Sequence, residues 1–314
     1  MAGVVVGSSN ARIGIQAAID ILRDGGNALD AAVAAIKLIE DSLEDNSVGT
    51  GGIPNLIGQV ELDASIMHGK NLASGAVGAV KQYPNPIEIA RKVMDVTPHV
   101  MLAGEGAELF AKHHGFKPAE LLTDDAREMW RKRIEEGGPS QQRIEEDRYE
   151  LFNQAVADWA KMLHKEIYGT TNVIVRDDSG DIVTAVSTSG WGFKWPGRLG
   201  DSPIIGAGNY ADNRFGGAAC TGRGEMAIRS ATAHSVIMYM RHGKSLGDAV
   251  HEAMQDLSHL QDPYAERSNT MNIVAMDRNG NVTAASTSES ATYVVQTTDM
   301  DAYEERTRTH VPLT

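Results

Sequence analysis

Gly169-Thr170-Thr171-Asn172-Val173-Ile174-Val175-Arg176-Asp177 is the stretch whose reading decides the fold. Val173, Ile174 and Val175 read as a strand, Asp178-Ser179-Gly180 as a turn, and Ile182 to Thr188 as the returning strand. Upstream, Arg148 to Lys165 reads as a helix, with Phe152, Val156, Trp159 and Leu163 on one face. A Gly-Thr bond therefore stands at the mouth of a β-hairpin near mid-chain. If that bond were cut, Thr170 would carry a nucleophilic hydroxyl and, on the same residue, an amine able to act as its base. Left uncut, Thr170 is simply a β-branched residue opening a strand.

The same pattern returns later in the chain. Asn172 to Gly180 parallels Asn272 to Gly280 at a constant offset of 100, and Ala185-Val186-Ser187-Thr188-Ser189 is echoed by Ala285-Ser286-Thr287-Ser288 with a one-residue slip. Two similar hairpins separated by helices over Glu225 to Met240 and Leu246 to Leu257 predict antiparallel sheet layered on helices. That is an α+β pattern, which disfavours a parallel dinucleotide-binding sheet. The echo raises a rival nucleophile, Thr270. It follows Asn269 and has no long charged stretch before it, so Thr170 is the stronger candidate.

The chain has 314 residues, 42% hydrophobic and 23% charged, enough for a sizeable core in one or two domains. A formal net charge of −13 argues against sequence-independent nucleic-acid binding. The one cysteine, Cys220, cannot form an intramolecular disulfide, which fits a reducing compartment. Met1 to Val6 has neither a basic segment nor a long apolar run, so a cytoplasmic protein without signal peptide or membrane span is expected.

In the first half, Gly3 to Gly7 reads as a strand, and Arg12 to Arg23 and Ala28 to Leu43 as helices. Asn46 to Asn55 is glycine-rich. No Gly-Lys-Ser/Thr follows it, so a tight, close-packed loop is expected rather than a phosphate cradle. Val60 to Met67 and Ala76 to Val80 read as strands, Pro86 to Met94 as a helix, His99 to Leu102 as a short strand and Ala107 to His113 as a helix. From Asp124 to Glu150 charges crowd and apolar periodicity fades; this reads as a solvated linker, with a charged surface helix pair as the alternative. No metal-ligand spacing occurs, and the adjacent pair His113-His114 lacks a third ligand.

The polar segments between the hairpins are Ser187-Thr188-Ser189-Gly190, Gly197-Arg198-Leu199-Gly200-Asp201-Ser202-Pro203, Gly206-Ala207-Gly208-Asn209-Tyr210-Ala211-Asp212 and Ala219-Cys220-Thr221-Gly222-Arg223-Gly224-Glu225. Together with Gly169-Thr170, Asn27 to Ala31, Leu62 to Met67, Gly75 to Val77 and Ala90 to His99, they resemble the N-terminal-nucleophile hydrolases of the glycosylasparaginase and plant-type L-asparaginase (isoaspartyl peptidase) family. The likeness spans nearly the whole chain.

The resemblance implies a single domain of residues 1–314 built as a four-layer αββα sandwich. Self-cleavage would leave an α chain of residues 1–169 and a β chain of residues 170–314, usually in an (αβ)₂ dimer. It implies that Thr170 is the nucleophile and that Thr188 orients it. Arg198 would grip the substrate α-carboxylate bidentately. Asp201 and the Gly224 carbonyl would receive its α-ammonium. The Thr221 hydroxyl and the Gly222 N–H would form the oxyanion hole. The substrate would be a small asparagine derivative, with neither cofactor nor catalytic metal. Taken singly, Arg198 and Asp201 read better as a surface salt bridge, and Thr221-Gly222 as a helix cap; six matching positions in register favour the roles the resemblance implies. Val48 to Gly58 is similar to the branch that hydrolyses N-acetylglucosaminyl-asparagine, the expected substrate. That branch carries a tryptophan soon after the first strand, where this chain has Ser8-Ser9-Asn10. It also has Asp before the nucleophile, where Gly169 resembles the L-asparaginase and β-aspartyl peptidase branch, the alternative. A non-cleaving amino-acid-binding homologue is a third reading.

Overall fold

The computed structural model describes residues 2–137, 169–260 and 270–313. The helix expected over Arg148 to Lys165 lies outside them. The described chain is α+β, with two mixed sheets. The larger has the order β12-β11-β1-β5-β6-β2-β3-β4 and the smaller β13-β10-β9-β8-β7.

The opening hairpin is β5 (Thr171–Arg176) and β6 (Ile182–Thr188), paired antiparallel with Thr171 opposite Ser187. It lies at the centre of the larger sheet, between β1 (Val4–Ser8) and β2 (Leu62–His68). Every residue of β5 is buried, because both faces are covered. Val173 and Val175 point into one apolar cluster, with α1 (Ile15–Arg23), α2 (Ala28–Glu40), α3 (Pro86–Val96) and α4 (Gly104–His113). Ile174 points the other way, into a cluster that also holds Ala211, Ala219, Val274 and Met276 of the smaller sheet. A third cluster joins that sheet to α6 (Gly224–Ser230), α7 (Thr232–Arg241) and α8 (Leu246–Asp256). The two-residue periodicity of β5 thus feeds two cores at once.

The larger sheet is completed by β3 (Ser74–Val80), β4 (Met101–Ala103), β11 (Thr292–Thr297) and β12 (Glu304–Thr307). The smaller one contains β7 (Asn209–Asp212), β8 (Gly216–Gly222), β9 (Met271–Asp277), β10 (Val282–Ser286) and β13 (Thr309–His310). No helix among the described residues is long and apolar enough to cross a membrane.

Several local expectations need correction. The segment Asn209 to Gly222 is a hairpin, not a run of polar loops. Its strand β8 is built of Gly and Ala, residues of poor strand propensity. The two glycines give clearance: a Cβ on Gly217 would come within 2.9 Å of the Ile174 side chain in the facing sheet, and one on Gly216 within 2.1 Å of the Met276 carbonyl oxygen. The helix expected from Glu225 to Met240 is two helices, broken at Ala231, which is left-handed with φ of 46°. The break turns the N-terminus of α7 onto the loop below, where the N–H groups of Ala233 and His234 donate to the carbonyls of Ala207 and Gly206.

The helix expected from Arg12 begins at Ile15, after a 3₁₀ turn over Ser9–Ile13. A Cβ on Gly14 would lie 2.1 Å from the Ala35 carbonyl oxygen, so the chain enters α1 pressed against α2. The first part of the expected linker is a helix, α5 (Asp124–Gly137). Two residues at helical spacing, Ala126 and Trp130, are buried, and the Trp130 indole N–H donates to the Asn55 carbonyl at 3.1 Å. One buried indole anchors a helix whose composition otherwise reads as solvated. The rest of the expected linker lies outside the described residues.

Candidate active site

Gly169 and Thr170 lead into β5 beside the end of β6. The Thr170 hydroxyl lies 2.8 Å from the Gly169 carbonyl oxygen and 3.2 Å from Thr188 Oγ1. Thr188 Oγ1 accepts the Gly190 N–H at 2.8 Å and donates to that same Gly169 carbonyl. The antiparallel register of β5 and β6 brings Thr188 here, 18 residues beyond Thr170.

Gly169 is held by the loop after α2. A Cβ on it would lie 1.5 Å from Ser47 Cβ, so no other residue fits without movement. Ser47 is itself fixed: its carbonyl accepts both the N–H and the hydroxyl of Ser189, and its own N–H and hydroxyl donate to Asp45. Gly49 of the same loop has φ of 63°, and a Cβ there would touch the Glu40 carbonyl oxygen at 2.0 Å. The glycine-rich segment is the close-packed loop its composition predicts.

Thr170 and Gly169 open onto a pocket of about 500 Å³. It is also lined by Ser8, Ser9, Asn10, Asp45, Ser47, Thr221, Gly222, Thr270, Asn272 and Arg308. Thr221 stands at the end of β8, not in a loop leading to a helix. Its hydroxyl oxygen accepts the Asn272 side-chain N–H at 3.2 Å, which leaves the hydroxyl proton available to donate into the pocket. Gly222 follows at φ of 114°, with its Cβ position 2.2 Å from the Thr270 carbonyl oxygen.

Arg198, Asp201 and Gly224 gather on the other side of Gly190. Arg198 Nη1 lies 3.4 Å from the Gly190 Cβ position. Its guanidinium stacks 4.7 Å from the Trp191 ring centroid, and its Nε and Nη2 donate to the Glu225 carboxylate at 2.8–2.9 Å. The surface salt bridge that Arg198 and Asp201 offered as the plain alternative does not form: Arg198 pairs with Glu225, and Asp201 is buried. Burial pushes the Asp201 carboxyl up to about 7, against the opposing pull of Arg198. Its Oδ2 has no hydrogen-bond partner among the described residues, and Gly224 passes so close that a Cβ there would lie 2.7 Å from Asp201 Oδ1. A buried carboxylate oxygen without a donor is a ready acceptor for an ammonium group. Beneath this group, buried Lys194 lies 3.9 Å from buried Asp63; desolvation lowers the pKa of the lysine and raises that of the aspartate.

Eight residues singled out in the sequence thus fall into two adjoining clusters. Gly169, Thr170, Thr188, Thr221 and Gly222 line or abut the pocket, and Arg198, Asp201 and Gly224 form the polar group beside it. The sequence reading passed over Asp45 and Ser47, which pin Gly169, and over Glu225, Asn272 and Arg308. Glu225 ends the quoted Thr221 to Glu225 segment and could have been paired with Arg198 on charge alone. Arg308 gave no local signal.

A threonine hydroxyl is thus held against a peptide carbonyl, beside a paired guanidinium and carboxylate. The chain belongs to the Asparaginase_2 family, described as asparaginase, which matches residues 8–304. It is 38% identical over 235 residues to an N(4)-(β-N-acetylglucosaminyl)-L-asparaginase of Elizabethkingia miricola, covering 75% of this chain and 63% of that protein. It is 37% identical over 282 residues to a plant-type L-asparaginase of Thermococcus kodakarensis, covering 89% and 86%. It is 38% identical over 237 residues to an isoaspartyl peptidase/L-asparaginase of Bos taurus, covering 75% and 70%. The chain thus spans less than two thirds of the length of the Elizabethkingia relative.

Proposed function

We propose that the chain hydrolyses the side-chain amide of L-asparagine derivatives, after cutting its own Gly169–Thr170 bond. The observation that carries this reading is the Gly169 carbonyl. Its oxygen accepts the Thr188 hydroxyl while the Thr170 hydroxyl lies 2.8 Å away. Thr188 polarises the carbonyl, and Thr170 Oγ1 attacks its carbon. The peptide nitrogen leaves as the Thr170 amine, and water hydrolyses the resulting ester. Residues 1–169 and 170–314 then remain as two chains of one domain, with the four-layer αββα order helices, larger sheet, smaller sheet, helices. The three separate cores support that order. An (αβ)₂ dimer acting in the cytoplasm completes the proposal.

In the mature site the freed amine takes the Thr170 hydroxyl proton, and the oxygen attacks the substrate's side-chain amide carbon. The Thr221 hydroxyl and the Gly222 N–H receive the developing oxyanion. The proton passes to the leaving nitrogen, and a β-aspartyl ester forms on Thr170; water then releases aspartate. Arg198 holds the α-carboxylate. Asp201, with its free Oδ2, and the Gly224 carbonyl hold the α-ammonium.

The leaving group divides the reading. The Elizabethkingia relative is named for a glycosylated asparagine, the Thermococcus one for L-asparagine and the bovine one for isoaspartyl peptides and asparagine. Ser8, Ser9 and Asn10 line the pocket, and no aromatic side chain does so among the described residues. This favours an amino-acid or ammonia leaving group over a stacked sugar. The test is an assay of the purified protein on glycosyl-asparagine, β-aspartyl dipeptides and asparagine, with Arg198→Lys alongside. That variant is expected to self-cleave normally, since the scissile bond has no free carboxylate, and to show KM raised by about tenfold or more. Unchanged KM would remove Arg198 from substrate binding.

A further inference from the structure

We propose that Arg308 forms an anion-reading subsite on the leaving-group side of Thr170, selecting amides whose departing amine carries a carboxylate. The inference rests on the hydrolysis proposed above and names its substrate class: β-aspartyl dipeptides. Arg308 sits where the C-terminal segment crosses from β12 of the larger sheet to β13 of the smaller. It is only 5% exposed. Its Nε donates to the Thr292 carbonyl at 2.8 Å and its Nη1 to the Ile273 carbonyl at 3.0 Å, one acceptor in each sheet. Both acceptors are neutral. No carboxylate pairs with this guanidinium among the described residues, and no described protein acceptor meets its Nη2.

A buried cation without a counterion is costly, and an anion that arrives beside it offsets that cost. Burial lowers the Arg308 pKa to about 10, still far above neutrality, so the charge persists. The pocket that Arg308 lines is the one onto which Thr170 opens. The polar group of Arg198, Asp201 and Gly224, proposed to hold the aspartyl end, does not line it. The open pocket therefore takes the other side of the scissile amide. The one acidic side chain on its wall, Asp45, has its oxygens occupied by the Ser47 N–H and hydroxyl and by Asn10. The competing role for Arg308 is a staple that ties the two sheets together through its two carbonyl bonds.

The experiment compares β-aspartyl-glycine with β-aspartyl-glycinamide, which differ only in the leaving-group charge. Wild type is expected to favour the carboxylate in kcat/KM by about tenfold or more, the size of one charge-assisted contact. Arg308→Gln should abolish that preference, chiefly by raising KM for β-aspartyl-glycine. Equal wild-type efficiency on the two substrates would overturn the subsite while leaving the proposed hydrolysis intact, and it is read without any variant. An Arg308→Gln loss that is equal on both substrates, with a lowered Tm, would identify a staple. Turnover of neither substrate by fully self-cleaved protein that still hydrolyses asparagine or glycosyl-asparagine would overturn the subsite alone; turnover of none of the four would overturn the hydrolysis reading, and the subsite with it.

Discussion

The two echoed hairpins have the same local structure and different surroundings. In the first turn Asp177 Oδ1 accepts the N–H groups of Ser179 and Asp181, and Gly180 has φ of 89°. In the second, Asp277 Oδ1 accepts those of Asn279 and Asn281, and Gly280 has φ of 87°. Both asparagines at the strand starts reach β8, Asn172 to the Cys220 carbonyl and Asn272 to the Thr221 hydroxyl, each at 3.2 Å. The hairpins part at their mouths. Thr188 reaches across to the Gly169 carbonyl, whereas its counterpart Thr287 accepts the Met271 N–H at 3.0 Å. Ser187 donates to the buried Glu40 carboxyl, whereas Ser286 accepts the N–H of its near neighbour Ser288. Thr170 and Thr270 line the same pocket, but only Thr170 follows a glycine clamped by Ser47. Similar sequence repeats a turn; the neighbours decide which hairpin carries the proposed nucleophile.

Exchanging the roles of the two threonines would break the comparison outright. Thr170→Ala is expected to stay one chain on a denaturing gel and to lose amide hydrolysis on the order of 10⁴-fold or more. Thr270→Ala should still cut and keep measurable activity. N-terminal sequencing of the wild-type fragment should begin at Thr170; a fragment beginning at Thr270 would reverse the assignment.

The clamp on Gly169 comes next. Gly169→Ala forces a Cβ to 1.5 Å from Ser47 Cβ and displaces the scissile carbonyl. A shift of about 1 Å costs on the order of 10²-fold, so self-cleavage followed by gel densitometry should slow by about that much. Adding Ser47→Gly should restore most of the rate. No slowing in the single variant would show that the clamp is irrelevant to maturation.

The second hairpin contributes through Asn272, which accounts for the acceptor side of Thr221. Thr221→Val removes the hydroxyl proton but keeps the shape. A fall in kcat of about 10²–10³, roughly 3–4 kcal/mol, is expected with little change in KM. Wild-type kcat would return Thr221 to a structural role at the end of β8.

The smallest effect concerns stability. Burial raises the Glu40 carboxyl to about 8, well above its ordinary range. Between roughly pH 4.5 and 8 the unfolded chain has lost this proton and the folded chain keeps it, so this group makes stability fall as pH rises. Glu40→Gln should lack that slope. Its Tm should match wild type near pH 4.5 and exceed it by pH 8, by up to a few kcal/mol in stability. Parallel Tm curves for the two proteins would show that Glu40 ionises normally.

Much of the fold was legible because it is written in local chemistry. The β-branched run at Val173, the Asp-x-Ser-Gly and Asp-x-Asn-Gly turns and the amphipathic faces of α2 and α3 act over a few residues, which a sequence displays directly. Strand β8 was missed because its opening glycines, Gly216 and Gly217, serve clearance from the Met276 carbonyl and the Ile174 side chain rather than strand propensity. In the sequence, helix α5 stays open between a linker and a charged surface helix, because the one buried indole that anchors it is hidden among charged residues.

The sequence by itself determined the two hairpins, the α+β class and the ordered motifs that mark the family. Tertiary structure alone decided that Ser47 clamps Gly169, that Arg198 pairs with Glu225 and not Asp201, and that Arg308 shares a pocket with Thr170. The reason is distance along the chain. Strand register and sheet facing join residues tens to more than a hundred positions apart, and no local preference of either partner records which the other will be.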